Sequence, residues 1–161
     1  MLSSCTPIPL GINTAIPETQ TVTPIKTPSF TTENMDYVAE LEIKIPAWLK
    51  AYTKFNSFHQ KANDKKKLFL NDNWKSVMSE ALDDLSAASD DLVSIQPVPP
   101  DMKNINDNLI KAVNETKLMI DAYRVLIKNN DKTQLDQIYA HSESALIFMK
   151  SATDETQLYL K

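Results

Sequence analysis

Apolar residues in this chain recur every three or four positions along four separate stretches, as expected for amphipathic helices that each bury one face. In the first two stretches the pattern runs through Val38, Leu41, Ile45, Trp48, Tyr52, Phe55, His59 and Ala62, and then through Trp74, Met78, Ala81, Leu85, Ala88, Leu92 and Ile95. In the last two it runs through Met102, Ile105, Leu109, Ala112, Thr116, Met119, Tyr123 and Leu126, and then through Leu135, Ile138, Ser142, Ala145, Met149, Ala152 and Thr156. The pattern predicts four helices, at approximately 33–62, 71–95, 100–129 and 132–160.

A flanking apolar row widens the expected buried face of each of the last two helices. These rows are Val113, Ile120 and Ile127 in the third helix, and Tyr139, Leu146 and Leu160 in the fourth. The connectors between helices are short and polar or Pro-rich, and short connectors make successive helices antiparallel. We therefore predict an all-α, up-down-up-down antiparallel four-helix bundle over residues 32–161.

Several residues suggest where the helices begin and bend. Thr32 is the expected N-cap of the first helix, and Asn71 or Asp72 that of the second. Pro100 suits the first turn of the third helix. Pro46 removes one backbone hydrogen bond inside the first helix, but the apolar pattern keeps its phase across it. We therefore expect a kink at Pro46 rather than a break.

The first 31 residues have a different composition. They contain five prolines, at positions 7, 9, 17, 24 and 28, and seven threonines. Proline has no backbone N–H and fixes φ, so this stretch cannot propagate a helix. We expect a disordered Thr/Pro-rich leader, a semi-rigid tether that reaches up to about 80 Å when extended.

Composition weighs against several classes of function. The only glycine is Gly11, so a phosphate-binding P-loop and a Gly-x-Ser-x-Gly nucleophile turn are both ruled out. The net charge is −4 and Arg124 is the only arginine, which gives no electrostatic footprint for nucleic acid. We predict a protein without enzymatic activity that binds no nucleic acid and requires no cofactor or metal.

The only cysteine, Cys5, follows Leu2, Ser3 and Ser4. This run resembles the lipobox of bacterial lipoproteins, and the Thr/Pro-rich segment after it is similar to their tethers. The resemblance implies lipidation at Cys5 and anchoring to a membrane, at the cell surface or in the periplasm. Lipoprotein signals place a basic and an apolar segment before the lipobox, so this interpretation expects such a segment upstream of Met1. Otherwise, Cys5 is a free thiol in the leader.

Two sets of polar residues are candidate metal or cation sites. His59 and His141 are the only histidines, and the Glu-x-x-His pairs of di-iron bundles are missing from the sequence. We expect His59 to be a polar residue at the end of the core. Asp84 and Asp91 lie two turns apart on one flank of the second helix, where a cation or a Lys-rich partner could bind; we expect a solvated charged face.

The connector between the first two helices combines apolar and basic residues. We expect Phe58 and Phe69 to be partly exposed there, next to Lys65, Lys66 and Lys67. We call this end the tip. Such a surface suits contact with a membrane or a partner protein.

These features predict a non-enzymatic helical lipoprotein that is anchored to the cell envelope and binds an unidentified protein or envelope component. The sequence leaves two alternatives open. One is a soluble helical scaffold without a lipid anchor, and the other is a bundle that binds a metal or haem.

Overall fold

Four α-helices and four short 3-10 helices account for most of residues 30–160, the part of the chain described by the computed structural model. The α-helices are α1 (Thr32–Asp64), α2 (Asp72–Leu92), α3 (Lys103–Asn129) and α4 (Leu135–Thr156). The 3-10 helices span Lys66–Leu70, Pro100–Met102, Lys132–Gln134 and Gln157–Tyr159. The predicted leader lies almost entirely outside the described residues.

Side-chain contacts between helices define an up-down-up-down bundle, as predicted. Lys44 pairs with Asp91 and Lys54 with Asp84, so α1 and α2 are antiparallel. In α3 and α4, Asn104 bonds Glu155 and Glu115 bonds His141, which makes this pair antiparallel as well. The diagonal helices α1 and α3 run in the same direction, since Tyr37 bonds Asn106 and His59 bonds Tyr123.

The helix ends follow local capping chemistry. Thr31, rather than the predicted Thr32, is the N-cap of α1, and its hydroxyl accepts from the backbone N–H of Asn34 at 3.2 Å. The prediction was wrong by one residue because neighbouring threonines are equally able to cap a helix. Asn71 caps α2, as predicted, by accepting from the N–H of Trp74 at 2.8 Å. Asn130 ends α3 in the left-handed region, with φ 52°.

Pro46 does not end the first helix, because α1 continues through it from Thr32 to Asp64. The proline is exposed, so the carbonyl of Glu42 that it leaves without a helical donor lies toward solvent. The expectation that the helix does not break at Pro46 is confirmed, and the kink expected there stays a prediction.

The predicted apolar rows of α1 and α3 form the core. Trp48, Leu41, Leu109, Met119 and Tyr123 are all fully buried. The row of α2 is also buried apart from the half-buried Ala88. It is joined there by Leu82 and Ser89, which the sequence pattern did not mark as buried.

The predicted flanking row of α4 is wrong, because Tyr139, Leu146 and Leu160 are 48%, 40% and 37% exposed. The reason lies in how the helices pack. Contacts between α3 and α4 are extensive, whereas α1 and α4 approach each other at few positions. Buried alanines such as Ala145 and Ala152 allow the close approach to α3. The α4 flank that faces α1 is therefore left partly uncovered.

The seam between α1 and α4 is bridged by long side chains. The hydroxyl of Tyr52 lies 2.5 Å from that of Ser142. Near the tip, Asn63 donates to the hydroxyl of Tyr139 at 2.6 Å. These bonds close the bundle where the helix backbones stay apart.

Candidate functional site

The two ends of the bundle differ in what they carry. At one end, the ring of Phe30 packs edge-on against Tyr159, with centroids 6.2 Å apart, and the connection between α2 and α3 lies beside the start of α1. We call this the leader end. The α1–α2 and α3–α4 connections lie at the other end, the tip. The 33 residues of α1 make the bundle about 50 Å long.

At the tip, the structure places the predicted basic residues as expected but changes the apolar ones. Lys65, Lys66 and Lys67 are exposed. Phe58 is half-buried, with the Lys61 ammonium 5.4 Å from its ring centroid. The expectation that Phe69 is partly exposed is wrong.

The ring of Phe69 is 4% exposed and packs edge-on against Trp74, with centroids 5.2 Å apart. The 3-10 helix that contains it turns the ring inward and leaves its neighbour Leu70 63% exposed. Leu70 is thus the apolar side chain that the tip presents to solvent. Leu70 is exposed because of its position in the five-residue 3-10 helix. The pattern of apolar residues does not predict that helix.

Formal charge is distributed unevenly along the bundle axis. We divided the described residues at the levels of the Trp48–Ser89 and Glu115–His141 contacts. The leader half (30–47, 90–115 and 144–160) contains eleven Asp or Glu against four Lys. The tip half (48–89 and 116–143) contains nine Asp or Glu against eleven Lys or Arg. The bundle is therefore acidic toward its leader end and slightly basic toward its tip.

His59 lies in a polar cluster within the core near the tip, consistent with its predicted position. Asn63 Nδ2 lies 2.9 Å from His59 Nε2 and cannot accept a hydrogen bond, so Nε2 accepts from it. The ring proton is then on Nδ1, which donates to the Tyr123 hydroxyl at 2.9 Å. Burial lowers the pKa of His59 and raises the pKa of Tyr123, so both groups are neutral near pH 7. Both ring nitrogens of His59 are thus occupied.

The second histidine is half-exposed between α3 and α4. His141 Nδ1 lies 2.7 Å from a carboxylate oxygen of Glu115. Among residues 30–160, no three or more His, Cys, Asp or Glu side chains are grouped so that they could hold a metal ion.

The acidic pairs of α2 act between helices. Asp84 and Asp91, the residues predicted to share a flank, pair with Lys54 and Lys44 of α1 at 2.6 and 2.9 Å. On the opposite flank, Asp83 pairs with Arg124 of α3 at 2.8 Å. These carboxylates are exposed but already have cationic partners within the bundle.

Sequence reasoning missed a groove at the leader end. It has a volume of about 400 Å³ and lies between the first turns of α1 and the connection from α2 to α3. Its apolar lining includes Ile95, Pro97, Val98 and Pro99, and its α1 wall includes three carboxylates, those of Glu33, Asp36 and Glu40. The i, i+3, i+7 spacing of these acids was an available signal for the charged wall but not for the groove itself.

Tyr37 also lines the groove and is itself buried. Its hydroxyl donates to Asn106 Oδ1 at 3.2 Å. Burial raises the pKa of Tyr37 to about 12, so the hydroxyl keeps its proton at neutral pH. This hydrogen bond holds the Tyr37 ring against α3, so the inner wall of the groove is rigid at this residue.

Other predicted features lie outside these sites. Cys5, the predicted lipidation site, is outside the described residues. From Phe30 to Leu160, no helix is both long and apolar enough to cross a membrane. Searches of protein-family models, curated proteins and solved structures found no match to this chain.

Proposed function

We propose that this protein is a non-enzymatic binding module, held at an envelope membrane by a lipid on Cys5 and binding its partner through its tip. Cys5 precedes Phe30 by 25 residues, so a lipid there attaches the bundle through its leader end. The tip is then the farthest part of the bundle from the point of attachment. In this proposal it is the surface that meets an envelope or protein partner.

The observation that carries this proposal is the polarity of the bundle. The acidic half lies next to the leader, and the basic half lies at the tip. Anionic headgroups repel an acidic surface within about 10 Å, the screening distance at moderate ionic strength. This repulsion keeps the leader end from binding to the bilayer, so the bundle stays free on its tether and its basic tip is open to an acidic partner.

The tip has the features of a small interaction surface. Leu70 supplies an exposed apolar side chain, and Lys65, Lys66 and Lys67 supply charge beside it. An apolar contact surrounded by lysines suits a partner with an apolar pocket and an acidic rim, since opposite charges steer association and fix its orientation.

The anchoring part is tested with Cys5→Ala in the cells that produce the protein naturally. We expect the unmodified protein to take up radiolabelled palmitate and to partition with membranes, and Cys5→Ala to do neither. Thr14→Ala is the matched leader control and should behave like the unmodified protein. Retention of Cys5→Ala in the membrane fraction would contradict anchoring at this residue.

The tip is tested with a photo-crosslinking amino acid at position 70 in intact cells. We expect a crosslinked adduct there that disappears when Lys65, Lys66 and Lys67 are replaced by Glu. The same amino acid at position 118 is the control, because Leu118 is 49% exposed but lies on α3, away from the tip connections. Equal adducts at both positions would contradict a specific role for the tip.

A further inference from the structure

We propose that the groove at the leader end binds an extended peptide segment that carries two basic side chains with apolar residues between them. This site lies at the opposite end of the bundle from the tip and does not depend on anchoring at Cys5. The ligand class follows from the lining, the free carboxylates and their spacing.

The lining provides an apolar contact surface. Ile95 and Val98 are contributed by the α2–α3 connection, whose backbone is extended at Pro99. The volume of about 400 Å³ falls within the usual range for ligand sites, roughly 300–1,000 Å³. Apolar side chains of a ligand that enter the groove leave water, which stabilises the complex.

The carboxylates on the α1 wall are available to an incoming cation. Within residues 30–160, neither Glu33 nor Asp36 has a basic side chain at salt-bridge distance. Glu40 is 4.0 Å from Lys44, but that ammonium is held closer by Asp91, at 2.9 Å. Among residues 30–160, the negative charge of the groove is therefore largely uncompensated.

The spacing of these acids matches an extended chain. Glu33 and Glu40 are seven residues apart, so they share a helix face and are separated by about 10 Å along the axis. Three residues of a polyproline II segment, an extended conformation with three residues per turn, span about 9 Å and bring the side chain back to the same side. A peptide with the pattern Lys-apolar-apolar-Lys can thus place one ammonium near each glutamate and its apolar residues on the lining. The acidic leader half adds a long-range field that steers such a cation to this end.

The test measures the anisotropy of a fluorescein-labelled peptide, Lys-Ile-Val-Lys, titrated with the full chain at low ionic strength. The groove variant carries Glu33→Gln, Asp36→Asn and Glu40→Gln. The control variant carries Glu80→Gln, Asp136→Asn and Glu143→Gln, which change net charge equally at exposed positions outside the groove. We expect the groove variant to bind at least about tenfold more weakly, because it removes the charges that pair with the two ammonium groups of the peptide. The control should stay within about twofold of the unmodified protein.

A second peptide, Lys-Ser-Ser-Lys, tests the apolar part of the site. We expect it to bind about tenfold more weakly than Lys-Ile-Val-Lys, because its side chains bury little apolar surface. Equal affinity for both peptides would show that the groove recognises only the charge of the peptide, and this result would overturn the proposal. So would an equal loss of affinity in the groove and control variants, or no binding to the unmodified protein at millimolar concentration.

Two further measurements keep the result interpretable. Urea melts establish that both variants fold; if the groove variant does not, the single substitution Asp36→Asn replaces it, with Asp136→Asn as its control. Sedimentation velocity of the unliganded protein tests whether a second copy fills the groove with its own basic tip. Salt-sensitive self-association that Lys66→Glu abolishes would assign the groove to that contact and overturn the peptide proposal.

Discussion

Asp83 and Asp84 are adjacent on α2, yet their carboxylates pair with different helices. Asp83 accepts from Arg124 of α3 at 2.8 Å, and Asp84 pairs with Lys54 of α1 at 2.6 Å. Two turns later the arrangement repeats, with Asp90 on Lys117 of α3 and Asp91 on Lys44 of α1. Successive helical residues are rotated by about 100°, so an Asp-Asp step supplies one acid to each flank. Repeating the step after seven residues produces two parallel rows of ion pairs.

We predict that these rows contribute modestly to stability and do so in a salt-dependent way. Asp84→Asn combined with Asp91→Asn should lower the free energy of unfolding by about 1 kcal/mol at low ionic strength, because exposed pairs contribute roughly 0.2–1 kcal/mol each. High salt should remove most of the difference. Urea melts at two salt concentrations measure it, and Glu80→Gln is the unpaired control on the same helix. A loss of several kcal/mol that persists in high salt would mean that these residues act through packing.

The buried His59 should make stability fall as the medium becomes acidic. Its pKa in the folded state is below the ordinary value of 6.5, because burial disfavours the charged ring. Below pH 6.5 the unfolded chain takes up a proton that the folded chain does not, so the free energy of unfolding decreases as pH falls toward the folded pKa. Above pH 6.5 this contribution is fully present.

The measurement is a series of urea melts across this range for the unmodified protein, His59→Gln and His141→Gln. The groups that face His59 are Asn63 on its own helix, Tyr123 of α3 and Tyr139 of α4, and none of them is a carboxylate or a second histidine. We expect His59→Gln to flatten the decrease below pH 6.5 and His141→Gln to retain it. An undiminished decrease in His59→Gln would place its origin elsewhere.

Leu109 lies on the buried face of α3, and Leu118 lies on its exposed face. Leu109 is fully buried, and Leu118 is 49% exposed. We predict that Leu109→Ala lowers the free energy of unfolding by about 2–5 kcal/mol, because it removes buried methyl groups and leaves a cavity. Leu118→Ala should change it by less than about 0.5 kcal/mol. Chemical denaturation measures both effects. If Leu109→Ala lowered the free energy of unfolding by less than about 0.5 kcal/mol, the buried face of α3 would be wrongly assigned.

Phe69 and Leu70 provide the same comparison at the tip. Phe69 packs against Trp74 in the core, so Phe69→Ala should cost about 3–5 kcal/mol. Leu70→Ala should leave stability nearly unchanged, although it removes the apolar side chain proposed to meet a partner. Urea melts followed by tryptophan fluorescence suit this pair because Trp74 is adjacent. If Leu70→Ala proved the more damaging substitution, the orientation of the 3-10 turn would be wrong.

The periodicity of apolar residues was sufficient to predict the bundle because one face of each helix is buried along most of its length. It failed where burial depends on the distance to the next helix. Tyr139 and Leu146 continue the apolar face of α4, and Leu160 lies just beyond its end, but α1 approaches α4 at too few positions to bury them. Neither the spacing between two helices nor the identity of the nearer neighbour is encoded in the period of a single helix.

The candidate sites could be predicted only in part. The exposed lysines of the tip were evident from local composition. The burial of Phe69 and the exposure of Leu70, in contrast, depend on a short 3-10 turn. Glu33, Asp36 and Glu40 can be recognised in the sequence as acids near the start of α1, but the groove also requires residues 95–100 to fold back against them. That packing joins segments about 60 residues apart, and no local pattern indicates it.

The sparse packing between α1 and α4 also has a consequence for motion. The bundle can be regarded as two hairpins, α1–α2 and α3–α4, that meet less closely along the α1–α4 seam than along the opposite side. Thermal breathing should therefore begin with a brief parting of these hairpins at the seam. Water would then first reach the side chains that bridge it, Tyr52, Ser142, Asn63 and Tyr139, while the interior of each hairpin stays dry. The polar character of these bridging groups makes such an opening less costly, since each of them can exchange its partner for water.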